Sequence, residues 1–154
     1  MLKINKKLEY ALIALRYMST KTDEKLTSAK EICDIYGIPF DPTSRVLQIM
    51  AQHDILHAEQ GPKGGYRIAM DLHEISMLKL SNMIIGPIEI ANCFHGDYSN
   101  CEINHSCHII APMLNINERI QKMFAGMNIA DLLCTKHAGE KSIREKQTAE
   151  EAER

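Results

Sequence analysis

The stretch LTSAKEICDIYGIPFDPTSRVLQIM, residues 26–50, predicts two short helices joined by a tight turn. The first of these helices has Thr27 and Ser28 as candidate N-caps, and Glu31 stands where a capping box needs an acidic side chain. Gly37 follows this helix and is expected to end it. A connection of a few residues that includes a glycine is the spacing of a helix-turn-helix.

The second helix of the pair is predicted to begin after the segment IPF. Asp41 can cap this helix, and Pro42 can occupy its first position, where the missing N–H of proline has no partner to lose. The helix is expected to end near His53 or Asp54. Its apolar positions are Val46, Leu47 and Met50.

Two short extended segments separated by a glycine-rich turn follow this helix. The segments are ILHAE at 55–59 and YRIAM at 66–70, and together they predict a β-hairpin, or wing. An amphipathic helix from Asn5 to Met18 precedes all of these elements. The predicted fold is therefore mainly α with a small β-hairpin, in the order of a winged helix-turn-helix.

The rest of the chain predicts two further helices and a large apolar surface. A helix is expected from about Glu74 to Met83, and a long helix from about His108 to Met127. A chain of 154 residues has little left to cover the apolar stripe of the long helix, so we predict that this helix pairs with a second copy in a homodimer. The segment NIADLL is expected to form a last helical turn capped by Asn128. The stripe consists of Ile109, Met113, Ile116, Ile120, Met123 and Phe124.

These elements divide the chain into four parts. Residues 1–86 are predicted to form the winged helix-turn-helix domain, and residues 87–108 a loop that contains three cysteines. Residues 109–134 would form the dimerisation helix and the last turn. Residues 135–154 are rich in charge and poor in large apolar side chains, so we expect them to form a disordered tail.

A winged helix-turn-helix binds duplex DNA with its second helix in the major groove and its hairpin near the adjacent backbone. Arg45 can fork onto guanine and Gln48 onto adenine. A winged helix can also serve only as a protein-binding module, because a fold alone does not set a function. The exposed positions expected to contact DNA are Thr43, Ser44, Arg45 and Gln48 on the helix, and Lys63 with the free amides of Gly64 and Gly65 in the turn.

The charge distribution is compatible with a nucleic-acid partner. The chain has a net charge of −2, but residues 1–70 carry ten Lys and Arg against eight Asp and Glu. Residues 71–154 carry eight against twelve. The positive half of the chain can bind phosphate locally although the total is mildly acidic.

Three cysteines lie in the polar loop CFHGDYSNCEINHSCH, residues 93–108. Cys93, Cys101 and Cys107 lack the close pair that usually begins a structural zinc site, and their wide spacing favours an iron–sulfur cluster. Zinc and an unligated loop of reactive thiols are the alternatives. A fourth ligand could be a carboxylate from elsewhere or one of the local histidines, which are His95, His105 and His108.

Other features of the sequence limit the class of protein to which the chain can belong. Cys33 and Cys134 follow aliphatic residues and are interpreted as core positions. No nucleophile elbow, phosphate loop or His-Glu metal pair is present, so an enzyme is not expected. The odd number of cysteines and the lack of a signal peptide or long apolar run predict a cytoplasmic protein with no membrane span.

The winged helix-turn-helix and the cysteine loop make the chain resemble the winged-helix iron–sulfur transcription regulators that include IscR, NsrR and RirA. The resemblance covers the chain up to about Leu133. The cysteine spacing, with seven and then five intervening residues, is most similar to the RirA branch. The most specific parts are LEYALIALRYM at the start, GPKGGYRIA at the hairpin, the cysteine loop and NIADLL.

The resemblance implies a repressor that binds an inverted-repeat operator in double-stranded DNA as a dimer. It also implies that Cys93, Cys101 and Cys107 hold an iron–sulfur cluster, with 4Fe-4S favoured over 2Fe-2S, through which iron, nitric oxide or redox state is sensed. In NsrR-like members a carboxylate on the first helix of the other subunit is the fourth ligand, and the matching residue is Glu9. In several members an arginine before the tip of the hairpin enters the minor groove. This chain has Gln60 at that position and departs from the family there. The alternative function is a zinc- or thiol-based scaffold for protein partners.

Overall fold

The computed structural model describes residues 4–21, 25–91 and 106–134. The predicted fold class is confirmed, since these residues form helices and one antiparallel hairpin. No helix in these ranges is both long and apolar enough to cross a membrane. The elements are α1 (Lys6–Thr20), α2 (Ala29–Tyr36), α3 (Phe40–Gln52), β1 (Leu56–Glu59), β2 (Gly65–Ile68), a 3₁₀ turn (Leu72–Glu74), α4 (Met77–Ile85), α5 (Ile110–Ala125) and α6 (Ile129–Cys134).

Helix α1 packs against α3 and α4 and lies at the centre of the hydrophobic core. Asn5 caps α1 by accepting the N–H of Lys7 at 2.9 Å. Ala11 and Ala14 are fully buried, and their small side chains let the neighbouring helices approach closely. The largest fully buried side chains are Leu15, Ile32, Leu47, Met50, Ile55, Ile75, Leu80 and Ile129.

Helix α2 forms as the sequence predicts. The hydroxyl of Ser28 accepts the N–H of Glu31 at 3.1 Å, and the carboxylate of Glu31 accepts the N–H of Ser28 at 3.4 Å, which completes the capping box. Gly37 ends the helix with a φ of 62°, a left-handed conformation that glycine adopts without strain.

Helix α3 begins two residues earlier than predicted. Pro39 is its N-cap, whereas the sequence favoured Asp41. Asp41 and Pro42 therefore lie inside the first turn. Proline is tolerated there because the first N–H groups of a helix have no partner within the helix. The predicted end is confirmed, with His53 as the C-cap.

Strands β1 and β2 form the predicted hairpin, with Glu59 opposite Gly65. Thr27 pairs with the outer edge of β2, because its backbone N–H and C=O both bond to Tyr66 at 2.9 Å. A Cβ at Gly65 would lie 2.8 Å from the carbonyl oxygen of Thr27, so this close approach requires glycine. The pairing ties the hairpin to the segment that leads into α2.

The helix predicted from about Glu74 to Met83 begins later than expected. Leu72–Glu74 is a separate 3₁₀ turn, and Ser76 is the N-cap of α4. Residues 75–77 between them pair with residues 127–129 through two backbone hydrogen bonds of 2.8 Å. This pairing with a distant part of the chain keeps the backbone extended and delays the helix.

Helix α6 brings the end of the described chain back to the first helices. The side chain of Asn128 accepts the N–H of Asp131 at 2.8 Å, which confirms the predicted cap. Ile129 is fully buried in the shared core. The proposed division into four parts stays a prediction, and α6 packs on the 3₁₀ turn rather than standing with α5 alone.

Candidate nucleic-acid interface and cluster ligands

Two residues expected to read DNA bases, Arg45 and Gln48, are exposed on α3. They are three positions apart and so lie on one side of the helix. Neither side chain is engaged by another residue in the described part of the chain. Ser44, next to them, is half-buried. The surface of α3 therefore presents one cation and one amide with their polar groups available.

Thr43 is fully buried, so the expectation that it is exposed is wrong. Its hydroxyl donates to the carbonyl oxygen of Pro39 at 2.7 Å, which satisfies the polar group inside the core. Thr43 thus anchors the start of α3. The side chains that α3 turns inward are Thr43, Val46, Leu47 and Met50, at the spacing of one helical face.

Lys63 is exposed at the tip of the hairpin. The N–H of Gly64 donates to the carbonyl oxygen of Gly61 at 2.9 Å, so the expectation of a free amide at Gly64 is wrong. A Cβ on Gly64 would clash with the carbonyl oxygen of Glu59, which accounts for glycine there. Gly65 is explained by its close approach to the carbonyl oxygen of Thr27. Of the three turn residues expected to contact DNA, Lys63, Gly64 and Gly65, only Lys63 has a side chain, and its ammonium suits phosphate.

A half-buried polar network links the end of α1 to α2. The carboxylate of Glu31 accepts hydrogen bonds from the hydroxyl of Tyr17 at 2.6 Å and from the ammonium of Lys21 at 2.8 Å. Burial by itself would raise the pKa of Glu31, but the bonds from Lys21 and Tyr17 outweigh it and lower the pKa below its ordinary value. Glu31 is therefore ionised and serves both as part of the α2 cap and as the link to α1.

Cys107 is half-buried just before α5, and its thiol is not in a disulfide. His108, next to it, is exposed. The described part of the chain holds no group of three or more His, Cys, Asp and Glu placed to bind a metal. The cluster therefore stays a prediction. The candidate ligands that lie outside the described residues are Cys93, Cys101, His95 and His105.

Glu9 lies near the start of α1 with its side chain 37% exposed. Its carboxylate pairs with the ammonium of Lys6 at 2.6 Å, and this hydrogen bond raises the pKa of Lys6. Exposed pairs of this kind are weak, so Glu9 can exchange Lys6 for another partner. Its role as a ligand stays a prediction.

Two amide side chains that the sequence analysis did not single out hold the segment leading to the cysteine loop. Asn117 Oδ1 accepts the N–H of Ile90, and Gln121 Nε2 donates to the carbonyl oxygen of Ile88, each at 3.1 Å. Asn117 is the buried residue of α5. The signal that could have identified it is a polar residue on the inward side of an apolar helix, because such a residue needs a partner.

The two cysteines interpreted as core residues behave differently. Cys33 is buried on α2, as expected. Cys134 is exposed, so its assignment to the core is wrong. Helix α6 is anchored through Ile129 and Leu133, which are one turn apart, and Cys134 lies beside that face.

Comparison with known proteins places this architecture in a family. The family model described as Rrf2, iron-dependent transcriptional regulator, matches residues 4–135. The chain belongs to the Rrf2 family. This confirms the resemblance drawn from the sequence, although the RirA branch is not distinguished and stays a prediction. Rrf2 proteins are transcriptional regulators, so the expectation that the chain is not an enzyme is also confirmed.

Individual Rrf2-type proteins show how far the similarity extends. The HTH-type transcriptional regulator NsrR of Shouchella clausii is 26% identical over 101 residues, which are 66% of this chain and 68% of that protein. CymR, the global cysteine regulator of B. subtilis, has the same fold with a TM-score of 0.66 at 18% identity, covering 89% of this chain and 100% of its own. IscR of T. potens has a TM-score of 0.61 at 16% identity, covering 86% of each chain.

Proposed function

We propose that this Rrf2-family regulator represses transcription by binding an inverted-repeat DNA operator as a homodimer, and that an iron–sulfur cluster adjusts its affinity for DNA. The observation that carries the proposal is the exposed pair Arg45 and Gln48 on α3. A hairpin with Lys63 at its tip follows the same helix. One unit thus offers groups for base edges and a group for the phosphate backbone.

The side chains on α3 differ in what they can read. The guanidinium of Arg45 fits the O6 and N7 acceptors of guanine, and the amide of Gln48 fits the N6 and N7 atoms of adenine. Ser44 can add a single hydrogen bond. Lys63 contributes affinity without sequence preference, because every phosphate carries the same charge. Specificity is therefore proposed to rest on α3.

The proposed dimer is supported by the way the apolar stripe of α5 divides. Its inner half, Met113, Ile120 and Phe124, is half-buried against the same chain. Its outer half, Ile109, Ile116 and Met123, stays 45–60% exposed and is spaced by seven residues, which puts these side chains along one line. A second copy is the proposed cover. The two α3 helices would then meet major grooves about 34–36 Å apart.

The donor set supports the cluster. Cys107 offers an unpaired, partly exposed thiol at the start of α5, and thiolates are the usual ligands of iron–sulfur clusters. Cys93 and Cys101 are proposed to complete the three cysteine ligands, and Glu9 of the partner subunit is proposed as the fourth. A bound cluster, with 4Fe-4S favoured over 2Fe-2S, would supply redox and ligand-exchange chemistry. A carboxylate holds iron less firmly than thiolate does, so Glu9 would be the exchangeable ligand.

Anaerobic purification tests the cluster. We expect a brown protein that contains iron and sulfide, and Cys107→Ala should abolish stable cluster binding. Cys134→Ala is the matched control, since Cys134 is an exposed thiol on α6 and should leave the cluster unchanged. A colourless wild-type protein that contains zinc would support the scaffold alternative, and a Cys107→Ala protein with a full cluster would contradict the ligand assignment.

DNA binding is tested with a duplex that the wild-type protein selects from a random-sequence pool. Arg45→Ala should weaken binding to this duplex by about 1–3 kcal/mol and relax its preference over unrelated duplexes. Arg119→Ala removes a cation from the exposed side of α5 and should change neither quantity. Equal affinity and preference for Arg45→Ala and the wild type would contradict the proposed docking of α3.

A further inference from the structure

The segment that enters the cysteine loop is held on α5 by two side chains. The N–H of Ile90 and the carbonyl oxygen of Ile88 bond to Asn117 and Gln121, each at 3.1 Å. Asn117 is only 8% exposed, and its bond to the N–H of Ile90 is half-buried. A half-buried backbone N–H that depends on one side chain loses its partner when that side chain is replaced. Both contacts lie a few residues before Cys93.

The same segment borders a cavity of about 300 Å³. The cavity is lined by Pro87–Ile90, by Ile4 just before α1 and Leu8 in α1, and by Phe124 of α5. Close-packed interiors resist movement, whereas a space of this size leaves the segment room to shift. The two hydrogen bonds therefore hold the segment against α5, and α1, the helix that carries Glu9, also lines the cavity.

We propose that Asn117 and Gln121 are positioning residues that fix the entrance of the cysteine loop to α5, so that a change in the loop alters the dimer helix and α1. The inference rests on the proposed function and adds a route for its regulation. Asn117 faces the loop entrance, and its neighbour Ile116 is exposed toward the proposed partner copy. One turn of α5 thus lies next to the loop entrance and carries a side chain of the proposed dimer surface. A ligand changes a distant site only through contacts that differ between two states, and the inference assigns that part to these two bonds.

The two amides act in opposite ways, which makes the inference specific. Asn117 accepts a hydrogen bond, so Asn117→Asp keeps the acceptor oxygen and Asn117→Leu removes it. Gln121 donates, so Gln121→Glu removes the function although it preserves the size of the side chain. Asn115→Leu is the matched control, because Asn115 lies on the exposed side of the same helix.

Three measurements on the full chain test the inference. Amide hydrogen exchange at Ile90 should become on the order of tenfold faster in Asn117→Leu, as expected for the loss of one hydrogen bond. Release of iron to a chelator under anaerobic conditions should be faster in Asn117→Leu and Gln121→Glu. The ratio of DNA affinities with and without the cluster should move toward one in both variants, on the duplex selected by the wild-type protein. Asn115→Leu should behave as the wild type in all three, and Asn117→Asp should keep the slow exchange at Ile90 because its carboxylate still accepts that N–H.

The outcomes separate this inference from the proposed function. Wild-type protein that takes up no iron would overturn the proposed function, and the route proposed for its regulation with it. Wild-type protein that holds a cluster, with unchanged iron release and an unchanged affinity ratio in Asn117→Leu and Gln121→Glu, would overturn this inference alone. The contacts would then be structural only.

Discussion

The guanidinium of Arg16 donates a 2.7 Å hydrogen bond to the carbonyl oxygen of Leu133, which joins α1 to the last turn of α6. The final carbonyl groups of a helix have no partner within it, and a cation is favoured at that end. The bond is half-buried and connects residues 117 positions apart in the sequence. It secures α6 against the core that α1 organises.

Replacing Arg16 by Met should lower the free energy of unfolding by about 1.5–3 kcal/mol, the range for a hydrogen bond to a charged group. Denaturant unfolding followed by circular dichroism measures this change. Arg45→Met, at an exposed site on α3, should stay within about 0.5 kcal/mol of the wild type. Equal effects of the two substitutions would show that the contact with Leu133 does not contribute.

Glu31→Gln should flatten the dependence of stability on pH in the acid range. The folded pKa of Glu31 lies below its unfolded value, so its contribution is present above the unfolded pKa of about 4.3 and is lost as pH falls through the folded pKa. Thermal unfolding at a series of pH values below neutrality measures the effect. The wild type should lose more stability than the variant as the pH is lowered through this window.

Glu118→Gln is the control for the pH series. The hydrogen bond from Lys122 also lowers the pKa of Glu118, but this pair is exposed on α5. Water and salt screen such a pair, so its substitution should change the acid profile less than Glu31→Gln does. A larger effect at Glu118 would contradict the importance of the network between α1 and α2.

Gly64→Ala should destabilise the protein by about 1–3 kcal/mol, because the new Cβ overlaps the carbonyl oxygen of Glu59 at the end of β1. Gly126→Ala is the control, since a Cβ there would make ordinary contacts of 3.6 Å and 3.7 Å and the backbone is right-handed. Chemical denaturation compares the two variants. Similar stabilities would mean that the hairpin turn adjusts freely.

Ile116→Glu should prevent formation of the proposed dimer, because it places a charge in the middle of the outer stripe of α5. Light scattering at micromolar concentration should give the mass of a monomer for this variant and of a dimer for the wild type. Ile35→Glu changes an isoleucine that is 54% exposed on α2 and should leave the dimer intact. A dimeric Ile116→Glu protein would place the contact elsewhere.

Local signals in the sequence were sufficient to predict several elements of the fold. The capping box of Ser28 and Glu31 and the left-handed Gly37 depend on atoms within a few residues of each other. The hairpin likewise follows from its turn residues, and Asn128 caps α6 as its position indicates. The residues that make these interactions are close in sequence, so their pattern can be recognised without knowledge of distant contacts, although packing of the core stabilises such short elements. In this sense the sequence by itself determined the winged helix-turn-helix.

Only the tertiary structure decided which surfaces are free. Thr43 belongs to the inward stripe of α3, and the apolar stripe of α5 divides into a covered half and an exposed half. The delayed start of α4 depends on residues 127–129, and the contacts of Asn117 and Gln121 depend on a segment from before the cysteine loop. Periodicity shows which side chains share a face of a helix. Which face is covered depends on parts of the chain that are distant in sequence and meet only when the core packs.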